Sequence, residues 1–283
     1  MFDKIKIILK DIKIEHTVFG MPFLYSGAII AAEGIPSTHV LLWITVGIIS
    51  ARTAAMSLNR LIDEEIDARN PRTRNRALPS GLVTRDEMKA LTAVSLVVLF
   101  IAALMLNWLC VALYPIAVSL FVVYPYLKRY TWLSHIVLGM TLGMAPIGAW
   151  VAVRASLELA PILLGLAVTF WVAGFDVIYS YQDLDFDREF NLHSIPKRFG
   201  VLWGLRISAF FHALTVLFLL SLIFFVNLRT VFLLGVGIIA LLLIYEHRIV
   251  GPDNLEKVPV AFFNVNAIVG VCFLIFIGAD VLL

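Results

Sequence analysis

Four aspartates and an asparagine carry the first chemistry that this sequence can be read for. Asn59, Asp63 and Asp67 are spaced by four in NRLIDEEID, which puts them on one stripe of a helix. Two carboxylates one turn apart, with an amide one turn before them, offer hard oxygen ligands of the kind Mg2+ takes. Arg72, Arg74 and Arg76 follow directly in NPRTRNRALPSG. Acidic groups alone would repel an anion. Acidic groups followed by guanidinium groups suit a metal together with a phosphate, which arginine grips in a bidentate manner. The arrangement recurs in DVIYSYQDLDFD, where Asp176, Tyr179, Asp183 and Asp187 share one helix face, Asp185 points elsewhere, and Lys197 and Arg198 come after. A diphosphate ester beside four aspartates needs divalent cations and further positive charge for balance, and the sequence supplies that charge nearby.

The elements that must position these residues are membrane helices. Of 283 residues 61% are apolar and 15% charged, with a mean hydropathy of +0.94. Soluble domains are about 45–50% apolar and about 25% charged, so soluble enzymes, secreted disulfide scaffolds and disordered chains are excluded. Nine apolar runs reach spanning length, at 17–33, 38–58, 88–107, 108–127, 134–153, 160–181, 203–226, 229–246 and 260–282. They are continuous rather than alternating, which argues against a β-barrel. The expected fold is an all-α membrane protein: one domain over 1–283, nine transmembrane helices in one bundle around a central cavity. Residues 1–16 are basic and amphipathic and are expected to form an interfacial helix, not a cleaved signal peptide. All but three of the 22 Lys and Arg residues fall on one side of the alternating runs. Arg154 and Arg229 lie on the other side and Arg52 within a run. That asymmetry puts the N-terminus in the cytoplasm and the C-terminus outside. The two long charged loops, 59–87 and 182–202, then lie on the cytoplasmic side of the cell membrane, and the catalytic site with them. Cys110 and Cys272 both sit in apolar runs and read as packing residues.

Arg52 and Asp176 lie inside apolar runs, where ionisable residues are costly and point to function. Arg52 is two turns deeper than Asn59 on the same face. It suits a carboxylate on a second, membrane-dissolved substrate, or an ion pair with a neighbouring helix. Asp176, two turns deeper than Asp183, suits a proton acceptor, or a partner that holds Tyr179 or Arg52.

The motifs resemble a known family. NRLIDEEID resembles the first Asn-x-x-x-Asp-x-x-x-Asp motif of the UbiA-type intramembrane aromatic prenyltransferases, and DVIYSYQDLDFD their second acidic motif. YPYLKRYTWLSHIVLG resembles the family's Tyr-x-x-x-Lys segment, and NPRTRNRALPSG the basic tail of the first motif. The resemblance covers nearly the whole chain. It implies Mg2+-dependent transfer of a polyprenyl group from polyprenyl diphosphate to an aromatic acid, 4-hydroxybenzoate or related, on the way to a quinone. Asp63, Asp67, Asp183 and Asp187 then look like Mg2+–diphosphate ligands, with Asn59 assisting. Arg72, Arg76, Lys128 and Arg129 look like diphosphate contacts, joined by Lys197 from the second basic stretch. Tyr124 and Tyr179 look like supports of the head-group site, and Arg52 like the grip on the acceptor carboxylate. Asp176 is the candidate to take the ring proton. The allylic cation would need a dry, π-rich chamber, and the prenyl tail a groove open to the lipid bilayer. No nucleic-acid partner is expected.

Three departures stand out. Arg60 replaces an aspartate common in the family, His193 stands where a lysine is frequent, and KIEHTVFG replaces the usual start of the 4-hydroxybenzoate enzymes. ARTAAMSLNR and NLHSIP resemble a branch whose acceptor is 1,4-dihydroxy-6-naphthoate, for menaquinone. From a different class, a secondary transporter would place its site near the midplane on broken helices. Here most candidate ligands sit at helix ends.

Overall fold

A computed structural model describes residues 2–12, 17–252 and 254–283. Among the described residues every regular element is a helix. Within the stretch 1–16, expected as an interfacial helix, lies α1 (Phe2–Asp11); Met1 and residues 13–16, Lys13 included, lie outside the described residues.

The nine apolar runs fall on nine helices: α2 (Thr17–Ala32), α3 (Thr38–Arg69), α4 (Arg85–Leu106), α5 (Trp108–Leu127), α6 (Ser134–Arg154), α7 (Leu159–Ser180), α10 (Val201–Ser221), α11 (Thr230–Ile249) and α13 (Asn266–Leu282). Between them lie α8 (Leu184–Glu189), α9 (Ile195–Phe199) and the single turn α12 (Val258–Val260). Among the described residues, eight helices are long and apolar enough to cross a membrane, and the apolar part of α2, Gly20–Ala32, is shorter.

Both charged stretches are more helical than their composition suggests. The boundary expected at 59 is wrong by a helix end, because α3 runs on to Arg69. Its last turn is closed by Asn70 N–H on Ile66 O at 3.1 Å, and Pro71 then cannot continue it. The stretch expected as a loop over 182–202 is corrected in the same way. α7 passes through the 3-10 turn Tyr181–Asp183 into α8, giving a rod over Leu159–Glu189. Only 190–194 and Gly200 separate it from α9 and α10. The acidic stripes therefore ride on the ends of rigid helices.

Helix ends are set by local chemistry. Thr84 and Glu87 form a reciprocal capping box at the start of α4. Asn107 ends α4 and begins α5, its Oδ1 accepting from the N–H groups of Leu109 and Cys110, both at 3.1 Å. Helices that follow one another from α3 to α7 pack as neighbours, then α7 on α10, α10 on α11 and α11 on α13. α13 packs against α2, and α2 against α6 and α3, which closes the bundle. The core at that closure is aromatic: the ring of Phe23 lies 4.6 Å from Trp171 and 4.9 Å from Phe273. Leu42, Val94, Leu104, Leu241 and Ile275 are exposed on the outside, where lipid tails are their natural solvent.

One contact matters most for the site. A Cβ on Gly139 of α6 would stand 2.1 Å from Thr169 O of α7, and one on Gly143 would stand 2.5 Å from Gly165 O. Glycine lets these two backbones touch. One turn before Gly139, the same crossing brings His135 against Asp176.

Candidate active site

The end of α3 presents its stripe to a network of cations. Asp63 is buried, and its Oδ2 accepts from Asn59 Nδ2 at 2.9 Å and from Lys128 Nζ at 2.6 Å. Arg129 Nη2 lies 3.9 Å from Asp63 Oδ1 and donates to the Ile62 carbonyl. One turn on, buried Asp67 accepts from Arg76 Nη1 at 2.6 Å, while Thr73 Oγ1 donates to the Asp67 carbonyl at 3.1 Å. Thus the loop after α3 folds back over the helix end that precedes it.

The α7 rod supplies the facing side. Asp183 accepts from Arg72 through Nε at 2.8 Å and through Nη2, a bidentate fork, and from Asn70 Nδ2 at 3.0 Å. Arg72 Nη1 also donates to the Tyr179 hydroxyl at 3.0 Å, with its guanidinium 5.4 Å from the centre of that ring. Burial disfavours the Arg72 charge, but the hydrogen bonds it donates to Asp183, together with the electrostatic attraction of Tyr179, Asp183 and Asp67, outweigh this, and its pKa is raised above the ordinary guanidinium value. Asn70 Oδ1 accepts from Arg72 N–H at 2.9 Å, so the amide sets the loop from which the fork reaches. The basic tail of the first stripe therefore clasps the second.

Both stripes line one cavity of about 360 Å3. Its walls include Asn59, Asp63, Asp67, Arg72, Arg76, Tyr124, Lys128, Asp176, Tyr179, Asp183 and Asp187. A second cavity of about 230 Å3, almost wholly apolar, lies between α2, α3, α4, α5 and α6. Arg52, Met56, Tyr124, Leu138 and Leu142 line both. Arg52 thus sits at the junction of a polar chamber and a greasy one.

Deeper in the polar chamber, His135 Nδ1 lies 2.7 Å from Asp176 Oδ2, and the Ile195 N–H points at His135 Nε2 at 3.3 Å. A nitrogen that accepts carries a lone pair, so Nε2 is bare and Nδ1 holds the proton it donates to Asp176. Both side chains line the polar chamber.

Two residues read as diphosphate contacts lie outside the lining. Arg129 stands behind Asp63, and Lys197 on α9 bonds Asn191 Oδ1 at 3.0 Å. His193 lines the chamber, its N–H donating to the Lys128 carbonyl at 2.6 Å. Sequence reasoning missed Asn70 and His135. Asn70 extends the α3 stripe by one more i+3 step, a signal that was available. His135 pairs with Asp176 only through the α6–α7 crossing, which leaves no local mark. Phe262, Phe263 and Asn266 also line the chamber unforeseen, brought in by the turn before α13.

For a divalent ion the oxygens are suitable in kind but dispersed. Among the described residues no three His, Cys, Asp or Glu side chains converge as a ligand group. Asp63 Oδ1 is buried without a hydrogen-bond partner. A buried carboxylate oxygen of this sort fits a hard cation that takes one or two carboxylates and completes its shell elsewhere.

Helices long enough to span, a charged chamber walled by two aspartate-bearing rods and an apolar annex describe a membrane protein with one candidate active site. The sequence pattern of the UbiA prenyltransferase family matches residues 20–268, and the chain belongs to that family; it is a prenyltransferase. The 4-hydroxybenzoate octaprenyltransferase of Aliivibrio salmonicida (strain LFI1238) is 33% identical over 255 residues, covering 90% of this chain and 88% of the relative. The protein of the same name from Salmonella paratyphi B is 32% identical over 246 residues, covering 87% and 84%. Among solved structures, the apo form of a UbiA homologue from Aeropyrum pernix K1 superposes with a TM-score of 0.86 at 32% identity, over 95% of this chain and 99% of that one. A UbiA homologue from Archaeoglobus fulgidus bound to DMAPP and Mg2+ shares the fold, with a TM-score of 0.76 at 17% identity over 97% and 98%. Family membership sets the transporter reading aside.

Proposed function

We propose that this protein transfers a polyprenyl group from polyprenyl diphosphate to the ring of an aromatic carboxylate, 4-hydroxybenzoate or a close relative, with Mg2+ as the resident metal. The observation that carries the reading is the pair of joined chambers, one polar and lined by both aspartate stripes, one apolar, with Arg52 between them. The names of the curated relatives and the metal bound by the A. fulgidus homologue support it.

Asp63 and Asp67 on one rod, and Asp183 and Asp187 on the other, would hold the metal, with Asn59 assisting one turn before Asp63 and the diphosphate itself supplying the remaining oxygens. Bound there, Mg2+ would neutralise charge that builds on the departing diphosphate. Arg72, Arg76 and Lys128 are already paired with Asp183, Asp67 and Asp63, so each has only to swing from a carboxylate to a phosphate oxygen. Arg129 holds the α3 end from behind, and Tyr179 steadies Arg72. Tyr124 lies where the head group gives way to the chain. Lys197 would join as the outermost cation. The allylic C–O bond breaks with its electron pair leaving on the diphosphate. The resulting cation is shielded from water by the apolar chamber and faced by aromatic rings. The acceptor, held by its carboxylate on Arg52, attacks through a ring carbon, and proximity supplies much of the rate. Asp176, oriented by His135, takes the proton from that carbon and restores the aromatic ring.

The whole chain 1–283 acts as one domain in the cell membrane, with nine crossings and the polar chamber opening to the cytoplasm. α1 packs at the chamber end, through Asp11 on Arg60 and Ala77. Leu283 lies at the other end, in a polar cleft with Glu33, Arg154 and Arg229. Opposite ends for the two termini support an odd number of crossings.

The test is an acceptor panel with one polyprenyl diphosphate, read by mass spectrometry for prenylated product and by release of diphosphate, with and without Mg2+. Product on 4-hydroxybenzoate, lost with EDTA, is the expected result. Product only on 1,4-dihydroxy-6-naphthoate would move the chain to the menaquinone branch. Metal-independent or absent transfer would end the proposal.

A further inference from the structure

Arg60, which stands where the family commonly has an acid, is 3% exposed and ends in two directions at once. Toward α1, its Nε lies 3.3 Å from Asp11 Oδ2, and its Nη2 donates to the Asp11 carbonyl at 3.0 Å. Toward the site, its Nη1 donates to Asn59 Oδ1 at 2.9 Å. Asn59 Nδ2 in turn donates to Asp63 Oδ2 at 2.9 Å. The direction of this string is dictated by chemistry. Arginine can only donate and an ionised carboxylate can only accept, so the amide between them has one permitted orientation. With its oxygen taken by Arg60, Asn59 faces Asp63 with its donor.

The far end is anchored as well. Asp11 Oδ1 accepts from Ala77 N–H at 2.8 Å, which ties α1 to the loop that carries Arg72 and Arg76. Ile7 and Ile8 pack against Ala77, Val83 and Met88, and Lys4 reaches Glu87 at 2.5 Å.

We infer that Arg60 and Asp11 are positioning residues: α1 holds Arg60, Arg60 fixes the Asn59 amide, and the amide orients Asp63 toward the metal and diphosphate. The inference rests on the metal site proposed above. In this chain the Asn59 donor aims Asp63, and the N-terminal helix is part of the head-group site. Partners of ligating carboxylates are known to change metal affinity by about 10–100-fold when removed.

The test is binding of Mn2+ in place of Mg2+, followed by the EPR signal of the free ion, on the purified full chain with a slowly ionising prenyl thiodiphosphate. Asp11→Asn and Arg60→Met should each weaken Mn2+ binding by roughly tenfold while leaving the KM for the aromatic acceptor unchanged. Lys4→Ala, which loosens α1 without touching the string, should leave Mn2+ binding within about twofold of the parent. If Arg60→Met does not fold, Asp11→Asn carries the test, because an amide oxygen still serves Ala77. Unchanged Mn2+ affinity in folded variants, or the same loss in Lys4→Ala, would overturn the inference. A parent chain that leaves Mn2+ free would instead overturn the metal site on which it rests.

Discussion

At the scale of single residues, the site is a set of carboxylates, most of which already have cationic partners. Asp63 pairs with Lys128, Asp67 with Arg76 and Asp183 with Arg72. Removing one carboxylate leaves its partner cation without a counter-charge and strips an oxygen from the proposed metal shell. Asp63→Ala and Asp183→Ala should each lower kcat by about a hundredfold or more, the scale of losing one electrostatic contact to a transition state. Size-exclusion profiles in detergent should stay close to the parent; full activity in either variant would remove the metal-site claim. Arg52→Ala should raise the KM for a carboxylated acceptor roughly tenfold or more while that for the prenyl donor changes little. Equal effects on both would count against its acceptor role. The acidic residues were legible because a spacing of four on a helix is a local code. The bidentate Arg72–Asp183 fork and the His135–Asp176 pair were not, since 111 and 41 residues separate their partners. Such pairings are decided by helix packing and not by spacing.

At the scale of elements, the site depends on how closely α6 and α7 approach. Among the described residues, the eight helices long and apolar enough to span, and the shorter α2, could be read from hydropathy, because lipid forces the backbone to satisfy itself within each segment. Their ends could not. A loop boundary at 59 overlooks the spacing of four that already reads as helix; α3 continues to Arg69, and Pro71 then prevents further extension. The α6–α7 crossing was equally silent, although its mechanism is plain once seen. Gly139→Ala puts a methyl 2.1 Å from Thr169 O, so the helices must part. The variant should lose about 1–3 kcal/mol of stability, as overpacked sites do. It should also lose activity beyond what the unfolded fraction explains, as His135 draws away from Asp176. Gly237→Ala on α11, where an added Cβ meets open space, should change neither unfolding temperature nor turnover. If both variants behave alike, close packing at Gly139 does not set the site.

At the scale of the whole molecule, the question is whether α2 crosses the bilayer. Its 16 residues rise about 24 Å, against a hydrocarbon core of about 30 Å, so it falls short on length alone. Its far end is nonetheless held level with the ends of spanning helices. Arg154, in the last turn of α6, donates through Nε to Ala31 O at 2.7 Å and pairs with Glu33 at 2.6 Å. Asp280, near the end of α13, accepts from the N–H groups of Arg229 and Phe232 at the start of α11, at 2.6 and 2.8 Å. Glu33, Arg154, Arg229, Asp280 and Leu283 share one cleft, while α1 is tied to the opposite, aspartate-bearing end. A short helix can span when its ends snorkel or the bilayer thins, at a modest cost per ångström. Guanidinium capping of Ala31 reduces that cost further by satisfying a carbonyl the helix leaves open. Reporter fusions give the answer directly. A phosphatase that is active only outside the cell membrane should be active when fused after Leu283 and silent when fused before Met1. Activity of the reverse pattern would place the aspartate chamber outside. Two silent fusions would mean that the termini share a side and that α2 turns back.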